Sequence, residues 1–101
     1  MSKKYKVITL CGSTKFEKKF MEVQRDLTLK GNIVLSVGFF SHCSSIDIDT
    51  KTKEMLDDMY KRKIDMADEI FVINVGGYIG KSTRSEIEYA RSTSKKVSYL
   101  E

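Results

Sequence analysis

Hydrophobic residues along the chain follow two alternating patterns, the continuous apolar run of a buried strand and the spaced apolar positions of a helix. Residues 5–11 form the first run, which is β-branched and apolar and ends at a glycine, as is typical of a strand followed by a tight loop. A helix that begins near Ser13 or Thr14 and stops at Gly31 is predicted next. Its apolar stripe recurs at helical spacing: Phe16, Phe20, Val23 and Leu27.

The same alternation continues to the end of the chain. Met55, Met59 and Met66 are interpreted as adaptable core residues of a second helix. Ile87 and Ala90 are expected to point inward from a third helix. The remaining expected elements are a strand at 32–37, a loop at 38–50, the second helix at about 52–67, a strand at 69–75 that is apolar on both faces, the third helix capped by Ser82 or Thr83, and a last short strand at 96–100.

This order of elements predicts the fold class. Alternating strands and helices require right-handed crossovers and a parallel sheet between helices. We therefore expect a single α/β domain over residues 1–101, a small three-layer flavodoxin/Rossmann-like sandwich whose four-stranded parallel sheet has the order 2-1-3-4. The loops after the first three strands then open at the carboxyl edge of the sheet, where ligands of this class bind.

Composition and charge narrow the classes of partner. The chain is 41% hydrophobic and 32% charged, as in ordinary globular proteins. Its net charge of +4 is spread over helical faces without a groove-reading motif, so no nucleic-acid partner is expected. The apolar runs are too short for a bilayer and the N-terminus lacks a signal peptide's apolar segment, which indicates a cytoplasmic protein without a membrane partner. Cys11, Cys43 and His42 are too few and wrongly spaced for a metal site, and no metal or cofactor is expected.

A glycine-rich stretch, residues 76–80, lies between the most apolar strand and the third helix. Such a turn binds phosphate or another anion through free backbone N–H groups and the positive helix end. Gly80-Lys81-Ser82 resembles the end of a P-loop, but the pattern requires glycine where this chain has Val75. The sequence therefore indicates an anion site at Gly80, Ser82 and Thr83 without triphosphate hydrolysis.

The loop after the first strand offers a second set of phosphate-binding groups. Gly12 allows the backbone to approach an anion, Ser13 and Thr14 offer hydroxyls, and Lys15 offers a counter-charge. The alternative is a simple strand-to-helix turn with a serine cap. His42, in the loop at 38–50, is a candidate ligand contact.

Glu86 is the candidate for chemistry, with two interpretations that the residues alone leave open. Thr83 to Glu86 fits a capping box, in which the carboxylate only binds the N-cap backbone N–H. A carboxylate at a helix start among anion-binding loops is also held ionised and directed at a ligand, as a nucleophile that attacks a sugar carbon must be.

These motifs together resemble the nucleoside 2-deoxyribosyltransferase superfamily, which includes the deoxynucleoside 5′-monophosphate N-glycosidases. The resemblance covers most of the chain and rests on the order and spacing of several short pieces. They are the first strand ending in Leu10-Cys11-Gly12-Ser13-Thr14, the Ala67-Asp68 pair before an apolar strand, and the run Ser82-Thr83-Arg84-Ser85-Glu86-Ile87-Glu88-Tyr89-Ala90 followed by Lys96-Val97.

The resemblance implies an activity and a role for Glu86. In that family the matching glutamate attacks C1′ of the deoxyribosyl group and forms a covalent glycosyl-enzyme, and the loop matching Gly12-Ser13 and the position of Ser82 hold the sugar or the 5′-phosphate. The family's catalytic aspartate matches Tyr60 here, with Asp57 and Asp58 one turn earlier. Tyr60, Asp57 or Asp58 would therefore assist protonation of the leaving group.

Two functional hypotheses follow. The first is a glycosidase or deoxyribosyltransferase that acts on a small-molecule nucleoside or nucleotide, with Glu86 as nucleophile. The second is a non-catalytic nucleotide-binding module on the same scaffold, because Tyr60 replaces the expected acid and Thr9 stands where some members place a tyrosine. The family commonly self-associates, so a homo-oligomer, a dimer or higher, is expected.

Overall fold

A four-stranded parallel sheet forms the centre of the computed structural model, which describes residues 4–38 and 48–101. Within those ranges the strands and helices are β1 (Val7–Gly12), α1 (Glu17–Leu29), β2 (Ile33–Leu35), α2 (Thr50–Met66), β3 (Glu69–Ile73), α3 (Lys81–Ser92) and β4 (Lys96–Tyr99). The strand order is β2-β1-β3-β4. The predicted fold class and strand order are therefore confirmed.

The pairing of β1 with β3 aligns the two loops that matter for the site. Leu10 pairs with Phe71, Cys11 with Val72, and Gly12 with Ile73, so both strands end at the same level of the sheet. Because the strands are parallel, the chain leaves both at the carboxyl edge.

Helices cover both faces of the sheet and create two apolar clusters. On one face Phe20 and Val23 of α1 pack with strand residues such as Ile8 and Leu10. On the other face α2 and α3 contribute Ile64, Ile87 and Ala90, which pack with these buried strand residues: Cys11, Ile70 and Val72. The inward orientation predicted for Ile87 and Ala90 is confirmed, as is the buried character of β3.

The predicted core role of the α2 methionines is wrong. Met55, Met59 and Met66 are 53%, 45% and 64% exposed, respectively. The buried face of α2 is instead formed by Ile64, which is fully buried, with Tyr60 packed beside it. A helix that packs through one narrow stripe leaves other apolar positions outside, and the helical period alone does not tell which stripe that is.

Helix and strand limits differ from the expected ones where local hydrogen bonds intervene. The turn before α1 is a three-residue 3₁₀ helix, Thr14–Phe16, and a second one, Val75–Gly77, ends β3 earlier than expected. Asp49 caps α2, since its carboxylate accepts a hydrogen bond from the Thr52 backbone N–H at 2.8 Å.

The described residues lack two features, a helix that could span a membrane and a cluster of metal-binding side chains. No helix among them is both long and apolar enough to cross a bilayer. Residues 4–38 and 48–101 also contain no group of three His, Cys, Asp or Glu side chains arranged to hold a metal ion.

Candidate functional site

A cavity of about 610 Å³ opens at the carboxyl edge of the sheet, between α2 and the loops that follow β1 and β3. Its volume lies in the range of small-molecule sites. The predicted site residues on its wall are Gly12, Ser13, Thr14, Asp57, Tyr60, Gly80, Ser82, Thr83 and Glu86. The topology thus brings together groups that are far apart in sequence.

Three predicted site residues are not placed on this wall. Lys15 lies outside the cavity lining, with its ammonium 3.7 Å from the centre of the Tyr78 ring. Asp58 is exposed and forms an ion pair with Arg62 at 3.9 Å on the outer face of α2. His42 lies outside the described residues.

Glu86 projects from α3 into the cavity wall beside β1. Burial raises the pKa of its carboxyl from 4.5 to about 7, and a hydrogen bond with Cys11 acts in the opposite direction. The negative charge of Asp57 raises the pKa further, whereas Lys53 and Lys61 lower it. A carboxylate of this kind is present in both protonation states near neutral pH.

Cys11, a residue for which sequence reasoning assigned no role, is the inner neighbour of Glu86. Its side chain is fully buried in β1. Burial, with the charge of Glu86 and the hydrogen bond to it, raises the pKa of the thiol well above its usual value. The thiol therefore stays protonated and can donate to the carboxylate.

The capping-box interpretation of Glu86 is wrong. The N-cap of α3 is Gly80, not Ser82 or Thr83, and its carbonyl accepts the first helical bond from the Arg84 N–H at 2.9 Å. Thr83 is instead buried, at 3% exposure, inside the first turn. Glu86 is then too far along the helix to reach the N-cap N–H, which leaves its carboxylate available to the cavity.

The N-terminus of α3 faces the cavity without a side-chain cap. The backbone N–H groups of Lys81, Ser82 and Thr83 have no partner inside the helix, as is general for a first turn. The positive end of the helix dipole therefore favours an anion at this wall.

The hydroxyl proton of Tyr60 is used in a hydrogen bond. The hydroxyl donates to the backbone carbonyl of Leu10, which ties α2 to β1. Burial raises the pKa of the phenol well above its usual value, and Cys11 and Glu86 add to this shift. Tyr60 thus fixes the relative positions of the two elements that hold the cavity wall.

Lysines on α2 are site residues that sequence reasoning missed. Lys53 and Lys63 line the cavity, and the Lys53 ammonium lies 3.0 Å from the Asp57 carboxylate. Lys63 donates to the Ser36 carbonyl at 2.7 Å, and burial lowers its pKa. Lys53 and Asp57 are four residues apart, a spacing at which opposite charges pair on a helix, so the sequence could have indicated this ion pair. The sequence did not show which side of α2 faces the site.

The loop after β1 is a tight turn with a serine cap, and it also lines the cavity. The Ser13 hydroxyl accepts a hydrogen bond from the Lys15 N–H at 3.4 Å, which is the serine cap expected of a strand-to-helix turn. A Cβ on Gly12 would lie 2.7 Å from the Ile73 carbonyl oxygen, so glycine allows β1 and β3 to pack closely. Phe16 meets the Tyr78 ring edge-on at 6.0 Å, which joins this loop to the one before α3.

Comparison of the chain with models of known protein families and with curated proteins finds no match. The chemistry of the cavity is therefore the basis for assigning a function. The cavity combines a buried carboxyl that titrates near neutrality, an uncapped helix N-terminus and a lysine-rich α2 wall. This combination suits an anionic ligand that carries an electrophilic carbon.

Proposed function

We propose that the protein cleaves, or transfers at, the N-glycosidic bond of a (deoxy)nucleoside or its 5′-monophosphate through a covalent glycosyl-Glu86 intermediate. The observation that carries this proposal is the placement of Glu86, a largely buried carboxyl on the wall of a cavity large enough for a nucleotide. The motifs around the cavity resemble those of the nucleoside 2-deoxyribosyltransferase superfamily, in which the matching glutamate is the nucleophile.

The reaction takes place in two displacements. A Glu86 carboxylate oxygen bonds to C1′ while the C1′–N bond breaks, and the electron pair of that bond leaves with the base. Water, or a second base, then bonds to C1′ as the Glu86–C1′ ester bond breaks and the carboxylate is regenerated. With a pKa of about 7, Glu86 supplies the ionised form to a substantial fraction of molecules at neutral pH.

The charge of the cavity supports the 5′-monophosphate over the free nucleoside. Lys53, Lys63 and Lys81 line the wall against the two acids Asp57 and Glu86. The uncapped N-terminus of α3 adds a partial positive charge. A phosphate at that helix end would place the sugar between the helix start and Glu86, which lies one to two turns further along α3.

A non-catalytic nucleotide-binding module on the same scaffold is the second candidate. The observation that favours it is the hydroxyl of Tyr60, which donates to the Leu10 carbonyl and is not free to protonate a leaving base. We also propose that the protein acts in the cytoplasm as a homo-oligomer. Localisation of a tagged copy in the source cell tests the compartment.

Base release measured by chromatography tests the proposed function. The four deoxynucleosides, their ribose counterparts and the 5′-monophosphates of both are incubated with the protein. We expect free base from at least one 5′-monophosphate, and Glu86→Gln should lower that rate by 10³-fold or more, because it removes the nucleophile.

The intermediate provides a second readout. With a deoxynucleoside 5′-monophosphate as substrate, rapid acid quench and mass spectrometry of the peptide that contains Glu86 should show one added deoxyribosyl 5-phosphate group, absent in Glu86→Gln. The matched control is Glu88→Gln, which removes an exposed carboxylate from the same helix and should leave the rate unchanged. Equal base release by wild type and Glu86→Gln contradicts the nucleophile role. Binding without base release supports the second candidate.

A further inference from the structure

The proposed reaction requires a proton or a strong hydrogen bond for the departing base. A purine or pyrimidine that leaves with the electron pair of the C1′–N bond is a poor leaving group as an anion. A positioned proton donor typically accelerates such a step by about 10²–10⁴-fold. The donor must lie on the cavity wall near Glu86.

Three other donors on the described part of the wall have a partner or a different position. The Tyr60 hydroxyl donates to the Leu10 carbonyl. The Lys63 ammonium donates to the Ser36 carbonyl at 2.7 Å. Lys81 lies at the start of α3, on the wall that suits a phosphate.

Lys53 differs from the tyrosine in having N–H groups to spare, and from the other two lysines in its position on the wall. It lies in the first turn of α2, and the ammonium donates to the Asp57 carboxylate at 3.0 Å. An ammonium has three N–H groups, so at least one more is available to a ligand. Lys53 and Asp57 both line the cavity that also holds Glu86, and the charges of both act on its carboxyl.

We propose that Lys53, held by Asp57, is the group that donates a proton to the leaving base. This inference rests on the proposed function. In the first displacement the C1′–N electron pair moves to the base, the Lys53 ammonium transfers one proton to a ring nitrogen or oxygen of that base, and a neutral amine remains. In the second displacement water bonds to C1′, and the proton that water loses restores the Lys53 ammonium. Asp57 is a positioning residue in this scheme, because it orients Lys53 and does not give up a proton.

A proton-donor role of Lys53 and a role in substrate binding alone predict different effects of the leaving group on the rate of base release. N7-methylguanine leaves its nucleotide as a neutral molecule and needs no proton, whereas guanine needs one. Loss of the proton donor should therefore slow release of guanine and spare release of N7-methylguanine. Loss of a binding contact should slow both.

The experiment compares base release from deoxyguanosine 5′-monophosphate and from its N7-methyl derivative, with spontaneous release subtracted. Lys53→Met should lower kcat for the unmodified substrate by about 10²-fold and change that for the methylated substrate by less than threefold. Lys53→Arg keeps the positive charge and N–H donors but does not give up a proton, so it should show the same selective loss as Lys53→Met. Asp57→Asn should produce a smaller loss with the same dependence on the leaving group. Lys51→Met, an exposed lysine of the same helix turn outside the cavity lining, is the matched control and should match wild type on both substrates.

The outcomes separate the two proposals. If wild type releases base and Lys53→Met is as fast as wild type on both substrates, the proton-donor role is overturned. The same holds if Lys53→Met is slowed equally on both substrates. Neither result affects the nucleophile role of Glu86. No base release by wild type from either substrate overturns the Lys53 role, and the same result across all the nucleosides and nucleotides overturns the proposed function as well.

Discussion

At the scale of single residues, Glu86 is a carboxyl whose surroundings come from three elements. Its own helix, α3, carries it, the buried Cys11 of β1 lies beside it, and charged groups of α2 act on it electrostatically. Those α2 groups are Asp57, Lys53 and Lys61. Because burial is the largest cause of its raised pKa, ionisation of Glu86 is opposed by the fold that positions it.

This opposition predicts a stability gain in Glu86→Gln that depends on pH. The folded-state pKa of about 7 exceeds the reference value of 4.5, so the folded protein binds the proton more tightly than the unfolded chain does. Stability associated with Glu86 is therefore fully present below pH 4.5 and is lost as pH rises through 7. The loss corresponds to about 3 kcal/mol as an order of magnitude, and glutamine does not incur it. Urea unfolding should show Glu86→Gln more stable than wild type at pH 8, with the difference vanishing near pH 4.5.

Glu88→Gln is the control for this measurement, because it removes the same charge from an exposed position on α3. A stability gain of Glu86→Gln that is equal at both pH values would contradict the buried, titrating carboxyl.

The sequence alone pointed to Glu86 and Asp57 but not to Cys11 or Lys53, which also act on the Glu86 carboxyl. The residues next to Glu86 in the sequence resemble the motif of a known nucleophile, and such a motif can be recognised without knowing the fold. The contact of Cys11 with it depends on how β1 packs against α3, and the approach of Lys53 depends on how α2 is rotated. Rotation of a helix about its axis is decided by packing, which a single amphipathic pattern leaves ambiguous when several stripes are apolar.

At the scale of elements, the ends of β1 and β3 decide the shape of the site. Both strands finish beside each other, and the chain turns from each into a 3₁₀ helix before the next α-helix begins. Ser82 and Thr83 are favoured cap residues by type, yet Gly80 is the N-cap, because Thr83 is buried in the first turn. Cap preferences predicted an N-cap at Ser82 or Thr83, whereas α3 has its N-cap two or three residues earlier, at Gly80.

Gly12→Ala is predicted to destabilise the protein by about 1–3 kcal/mol. The added methyl group would lie 2.7 Å from the Ile73 carbonyl oxygen and 3.0 Å from its Cβ, and backbone atoms of a central strand pair cannot move aside easily. Thermal or urea unfolding measures the change. Gly38→Ala is the control, since a Cβ there meets no atom of the described residues within 4 Å. Equal stability of the two variants would contradict the close packing of β1 against β3.

At the scale of the whole molecule, the order of strands and helices followed from the sequence with few alternatives. Continuous apolar runs separated by helical patterns define a parallel sheet, and right-handed crossovers restrict its topology. The sheet order and the two-faced core agree with that expectation. The exposed methionines of α2 do not, because burial of a face depends on partners that the pattern of one helix does not reveal.

Those exposed side chains give a physical reason to expect self-association. Met55, Met59 and Met66 lie on one side of α2 at helical spacing, and each is about half exposed or more. We expect light scattering to give the mass of a dimer or higher oligomer for wild type, and Met55→Glu with Met66→Glu to shift it toward the monomer. The single variant Lys18→Glu, which changes the net charge by the same two units at an exposed position of α1, is the control for added negative charge. A monomeric wild type contradicts the expectation.

Ligand binding should be visible in the melting of the entire domain, because the cavity wall includes α2 and the loops after β1 and β3 of one cooperative unit. Glu86→Gln prevents turnover, so a deoxynucleoside 5′-monophosphate at about 100 times its Kd should stabilise that variant by about 2.7 kcal/mol. For a domain of this size the corresponding rise in Tm is roughly 10 °C or more.

Adding Lys81→Met to the Glu86→Gln variant should reduce the affinity for the monophosphate more than the affinity for the nucleoside, because only the monophosphate places a charge at the α3 N-terminus. At a fixed ligand concentration, the rise in Tm should therefore fall more for the monophosphate. Equal reductions for both ligands would place the phosphate elsewhere, and no rise with any nucleotide would contradict both catalytic and non-catalytic nucleotide binding.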